Sequence, residues 1–155
     1  MATSAKKGLL QVEKVKLLKS LGIFSDTPEA ILAKLAPLMK EEKIKHGDLI
    51  FNEGEPGDCM YIIFSGEIEI HKGKATLAIL QAREVFGELS LLDAETRSAT
   101  ATAKTNCLLF KIDQEPFYKL IESRPEVAMG FIKILSKRLR KLNEKAAQQA
   151  LRNLF

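Results

Sequence analysis

Glu88 and Arg97 stand nine positions apart in the segment VFGELSLLDAETRSATATA, which runs from Val85 to Ala103. A guanidinium can grip a phosphate through two parallel hydrogen bonds, a geometry that lysine cannot supply. GELSLL reads as one helical turn, whose first amide hydrogens and dipole favour an anion. Gly87 lets a ligand approach the backbone, and small Ser90, Ser98 and Ala99 keep the space open. Glu88 cannot bind a phosphate, so it calls for hydroxyl donors. A ribose beside a phosphate satisfies both residues. By spacing alone, an ordinary salt bridge between Glu88 and Arg97 across a turn reads equally well.

Other chemistries find little support. Cys59 and Cys107 lie in apolar, strand-like contexts without CxxC spacing, which reads as small buried hydrophobes rather than a disulfide or metal pair. His46 and His71 form no HxH or HExxH pattern, so neither a metal nor a cofactor is expected. With no nucleophile–base pair in view, an enzyme is not expected and no residue is assigned a catalytic role. The net charge is +4, and Lys133, Lys137, Arg138, Arg140, Lys141, Lys145 and Arg152 cluster in the final third. On an amphipathic helix these form a solvated face, and direct DNA binding is not expected without a second element to read a groove. The N-terminus reaches Glu13 where a secretory signal needs continuous apolar residues, and the run Met60 to Phe64 is too short for a membrane span. A cytoplasmic chain is expected.

Three regions position these residues. The first is helical: Val15, Leu18 and Leu21 recur at helical spacing, then TPEAILAKLAPLMK offers Thr27 as N-cap and Pro28 at the first helical position, with Pro37 ending or kinking the helix. From Glu42 the pattern becomes strands, KIKHGDLIF, CMYIIFSG, EIEIHKG and ATLAILQ, with TATAK and CLLFKI after the opening segment. NEGEPGD (Asn52 to Asp58) reads as a strong breaker. Closely spaced short strands with tight turns suggest a jelly roll or small barrel. The third region is helical again, with Asp113 as N-cap and an apolar seam of Phe131, Ile134, Leu135, Leu139, Leu142 and Ala146. The seam suits a partner helix, hence a homodimer, as well as it suits the barrel.

The segment resembles the phosphate-binding cassette of cyclic nucleotide-binding domains, the family of the catabolite activator and the protein kinase A regulatory subunit. Phe86-Gly87-Glu88-Leu89, Leu91 and Arg97-Ser98-Ala99-Thr100 match its pattern, and LLKSLGIFS, HGDLIFNEGEPGDCMYIIFSGEIEI and SRPEVAMGFIKILSKRLRKL extend the likeness over nearly the whole chain. Thr96 stands where many relatives have proline, and LQARE where they often have a Gly-Pro-Gly-type turn.

The resemblance implies a mainly β chain with flanking helices (α+β). It comprises an N-terminal helical segment (1–40), a β-jelly-roll barrel (41–113) with the cassette at 85–103, and C-terminal helices (114–155) ending in a lid. It implies that Arg97 and the amides near Ser90, Ser98 and Ala99 hold a cyclic phosphate. Glu88, helped by the Gly87 backbone, takes the ribose 2′-hydroxyl. Phe86 belongs to the same motif, Leu89 lines the pocket, and Leu139, Leu142 and Asn143 cap the base. Leu142 stands where the bacterial catabolite activator carries a polar, base-contacting residue. The function implied is a regulatory sensor for cAMP, with cGMP the other ligand, that signals by moving its terminal helix to an effector not encoded here. The alternative is a degenerate jelly roll serving as an interaction or dimerisation module without nucleotide.

Overall fold

The computed structural model describes residues 9–88, 90 and 95–154, with residues 134 and 138 described by backbone alone. The expectations for Leu89, Leu91, Leu92 and the Ile134 side chain lie outside the described residues.

The run from Cys59 to Ile63 is apolar at every position because its strand, β3 (Cys59–Ser65), is covered on both faces. Met60 and Ile62 point into a core shared with helices, whereas Cys59, Tyr61 and Ile63 point into a core between two sheets. This strand belongs to the first antiparallel sheet, together with β1 (Lys40–Ile44), β8 (Cys107–Asp113) and β6 (Val85–Phe86), in the order β1-β8-β3-β6. The second sheet contains β2 (Leu49–Phe51), β7 (Thr100–Ala103), β4 (Ile68–Lys72) and β5 (Ala75–Leu80), in the order β2-β7-β4-β5. Phe51, Ile68, Ala101 and Ala103 meet the first sheet from this side. The two sheets with their flanking helices make the jelly roll.

Helices cover the outer face of the first sheet. α1 (Gln11–Ser20) contributes Leu17 and Leu18, a short 3-10 turn (Gly22–Phe24) contributes Ile23 and Phe24, and α2 (Glu29–Leu35) contributes Leu32 and Leu35. After the strands come α3 (Gln114–Ser123) and α4 (Pro125–Leu154). Phe131 of α4 packs edge-to-face on Phe24 (5.3 Å) and on Phe117 of α3 (4.9 Å), the arrangement that aligns ring edges with ring faces.

Several local expectations shift. The cap of α2 falls on Pro28, whose carbonyl accepts from Ile31 and Leu32, while Thr27 is buried instead of capping. Pro37 sits in a 3-10 turn (Ala36–Leu38) where α2 stops, because its ring and missing N–H cannot continue the ladder. KIKHGDLIF is two strands, split at Gly47 with φ 87, and β1 begins at Lys40. Asp113 precedes α3 without a side-chain cap, its carboxylate being paired with Lys40 at 2.7 Å. The seam of α4 is divided: Val127 and Phe131 are buried, Leu135 is half-buried, and Leu139, Leu142 and Ala146 are exposed.

Candidate functional site

The segment that carries Glu88 and Arg97 is the crossover from β6, at the edge of one sheet, to β7, inside the other. β6 ends at Phe86, paired with Tyr61, and the chain then turns at Gly87 with φ 75, a conformation that L side chains adopt only with strain. Glu88 and Ser90 follow, both buried. On the return, the backbone is clamped to the NEGEPGD turn. Arg97 N–H donates to the Glu55 carbonyl and Gly54 N–H donates to the Arg97 carbonyl, each at 2.8 Å. The turn therefore does more than break a strand: it holds the arginine's main chain in place.

The Arg97 guanidinium is inside the protein, its residue only 6% exposed. Nη2 donates to the Cys59 carbonyl (3.1 Å) and to Cys59 Sγ (3.2 Å), and Nη1 donates to the Gly87 carbonyl (3.3 Å). The Phe51 ring lies 4.2 Å from Cζ, a cation–π contact. Nε–H is buried and has no acceptor among the described residues. Among the described residues the acceptors are thus carbonyls and a thiol, with no anion among them. The salt bridge to Glu88 that spacing alone allowed is not among the ion pairs of the described residues. A buried cation without a counter-ion costs several kcal/mol or more in desolvation, which an anionic ligand would offset.

Two glycines make room for this side chain. A Cβ on Gly87 would lie 2.6 Å from Nη1. A Cβ on Gly57 would lie 2.8 Å from Nε and 2.6 Å from Ser90 Cβ, and would also strike Ser90 Oγ. Beneath them, Phe86 stacks on Tyr61 at 5.1 Å, and Phe51 lies 6.0 Å from Phe86. Burial pushes the Tyr61 phenol well above its ordinary value, with Cys59 adding to the shift.

Above this floor is a cavity of about 490 Å³, lined by the cassette and by Phe51, Ile70, Leu80 and Val85. Phe86, Gly87, Glu88, Ser90, Arg97, Ser98 and Ala99 are all brought to its wall. Leu139, Leu142 and Asn143 are not: they are exposed on α4 and do not line the cavity. Reading the sequence alone missed Phe51, Ile70 and Leu80 as wall and Cys59 as the residue beneath Arg97. Alternation in EIEIH could have given Ile70, since its neighbours Glu69 and His71 fall on the other face.

Comparison with known proteins fits this geometry. The profile of the cyclic nucleotide-binding domain matches residues 41–124. The CRP-like cAMP-activated global transcriptional regulator of Mycobacterium tuberculosis is 32% identical over 137 residues, covering 85% of this chain and 61% of the regulator. The chain therefore spans less than two thirds of that relative's length. The N-terminal domain of a transcriptional regulator from Streptomyces coelicolor superimposes with a TM-score of 0.73 at 32% identity, over 83% of this chain and 93% of that domain. The regulatory domain of Toxoplasma gondii PKA, crystallised with cAMP, gives a TM-score of 0.72 at 26% identity, over 84% of this chain and 50% of its own. No helix among the described residues is long and apolar enough to cross a membrane. A buried arginine with no anion beside it among the described residues, a carboxylate on the same cavity wall and the profile match lead to one conclusion: this chain belongs to the cyclic nucleotide-binding domain family.

Proposed function

We propose that the chain is a cAMP-binding regulatory domain without catalytic activity of its own. The observation that carries this reading is the Arg97 guanidinium, buried with no anionic partner among the described residues in the wall of the same cavity as Glu88. The cyclic phosphate is held by Arg97 and the amides around Ser90, Ser98 and Ala99. Glu88 accepts from the ribose 2′-hydroxyl, with help from the Gly87 backbone. The purine lies against the apolar wall of Phe51, Ile70, Leu80 and Val85. Support for cAMP over cGMP comes from the relatives: the mycobacterial regulator is described as cAMP-activated and the Toxoplasma regulatory domain was crystallised with cAMP.

The signal is a movement of the terminal helix. The Gln114 side chain donates to the Ser90 carbonyl at 3.2 Å, and its main-chain N–H donates to Asp58 at 2.8 Å. The cassette is thereby tied to the first residue of α3, and through Phe117 and Phe131 to α4. A ligand that draws the cassette inward shifts α4 toward the cavity, so that Leu139, Leu142 and Asn143 close over the base. The size of the shift is limited by the ligand's difference in affinity for the two states. The exposed part of α4 also serves self-association or an effector. The helical segment 1–40, the jelly roll 41–113 and the helices 114–155 act as one unit.

Thermal unfolding with a nucleotide panel tests the reading. Because a ligand at a hundred times its Kd adds about 2.7 kcal/mol, cAMP should raise Tm clearly and AMP, lacking the cyclic phosphate, should not. A flat panel would contradict the assignment.

A further inference from the structure

We propose that Cys59 is a positioning residue for the nucleotide phosphate, its thiol and carbonyl together fixing one nitrogen of Arg97 and so setting the plane in which the guanidinium meets the ligand. The inference rests on the reading of the cavity as a cyclic nucleotide site. A guanidinium is planar, so its orientation is defined once two nitrogens and one face are held. Here Nη2 is held by two acceptors on Cys59, Nη1 by the Gly87 carbonyl, and the face by Phe51. Cys59 is itself fixed, since it opens β3 in register with Asp113 and is 3% exposed. Nε–H, with no acceptor among the described residues, is the donor kept for an incoming oxygen. A fork held in this way gives up less freedom on binding than one that must first be ordered. Cys59 acts through Arg97 and does not line the cavity.

Three substitutions separate positioning from packing. Cys59→Ser keeps an acceptor in a slightly smaller side chain, Cys59→Val fills the volume without an acceptor, and Cys59→Ala does neither. If the thiol positions Arg97, calorimetry should put Cys59→Ser within about threefold of the wild-type Kd for cAMP, and the Ala and Val variants about tenfold weaker, as expected for one hydrogen bond to a charged group. The Nε–Hε nuclear magnetic resonance signal of Arg97, recorded without ligand, should stay in place in Cys59→Ser and move in the other two. Wild-type affinity in Cys59→Val with a weakened Cys59→Ser would show that the thiol only fills space and would overturn the proposal. If the wild-type chain takes no cAMP, the reading of the cavity falls, yet the Nε–Hε signal still decides whether Cys59 fixes Arg97. An unmoved signal in all three variants overturns it as well.

Discussion

In the proposed reading Glu88 and Arg97 serve different parts of one ligand, which makes their contributions separable. Glu88→Ala should weaken cAMP but leave 2′-deoxy-cAMP much less affected, because the carboxylate acts on the 2′-hydroxyl alone. Once either partner is gone, removing the other should be nearly silent. Calorimetry on the two proteins with the two nucleotides closes this cycle, and additive losses would give Glu88 another task. A second prediction concerns Tyr61, whose buried phenol is raised above its ordinary value of 10.0. Below that pH both folded and unfolded chains keep the proton. Above it the unfolded chain loses the proton first, so stability falls as pH rises from 10.0 toward the native value. Tyr61→Phe should remove that part of the alkaline loss, measurable as a shallower decline of Tm with pH. An identical decline in the variant would mean that the phenol is not shielded. At this scale the charged residues were legible, because a carboxylate, a guanidinium and small residues crowd one short segment. Cys59 was not, since a thiol among apolar neighbours reads as a hydrophobe and its contact with Arg97 spans 38 positions.

α4 shows how far an element can be read from its period. A 30-residue helix is about 45 Å long, and among its described side chains the buried ones, Val127 and Phe131, fall in the first turns. Helical spacing revealed an apolar seam through Leu139 and Leu142 but not what covers it, since a seam looks the same whether it faces a core, a partner or water. The strands were legible for a firmer reason: β-branched runs between turn residues admit few alternatives. The break at Gly47 and the turn at Arg83, a non-glycine residue with φ 71 within LQARE, depend on tertiary hydrogen bonds and were not. If α4 closes over the base, hydrogen exchange from Lys133 to Asn143 should slow on adding cAMP, and a chain cut before Lys137 should bind more weakly. Equal exchange in both states, with full affinity in the shortened chain, would remove the helix from both lid and switch.

In the whole molecule, two cores share the first sheet, one between the sheets and one beneath the helices. The cassette crosses between the sheets at the edge of the first core, and Gln114 ties it to helices packed on the second. The number and spacing of short strands narrowed the class to a jelly roll or small barrel, and the family resemblance named the jelly roll. The strand orders β1-β8-β3-β6 and β2-β7-β4-β5 were not, because they follow from long-range pairing that no local pattern encodes. That pairing brings Phe51, Cys59 and the segment carrying Glu88 and Arg97 around one site from three separate stretches of chain. The most direct measurement is calorimetric titration of cAMP into the wild-type chain and into Arg97→Ala. The wild type should bind at micromolar Kd or tighter, and loss of the guanidinium should cost about 2–5 kcal/mol, as for truncation of one partner in a buried charged pair. Unchanged affinity in Arg97→Ala, or no binding to the wild type, would contradict the assignment of the cavity.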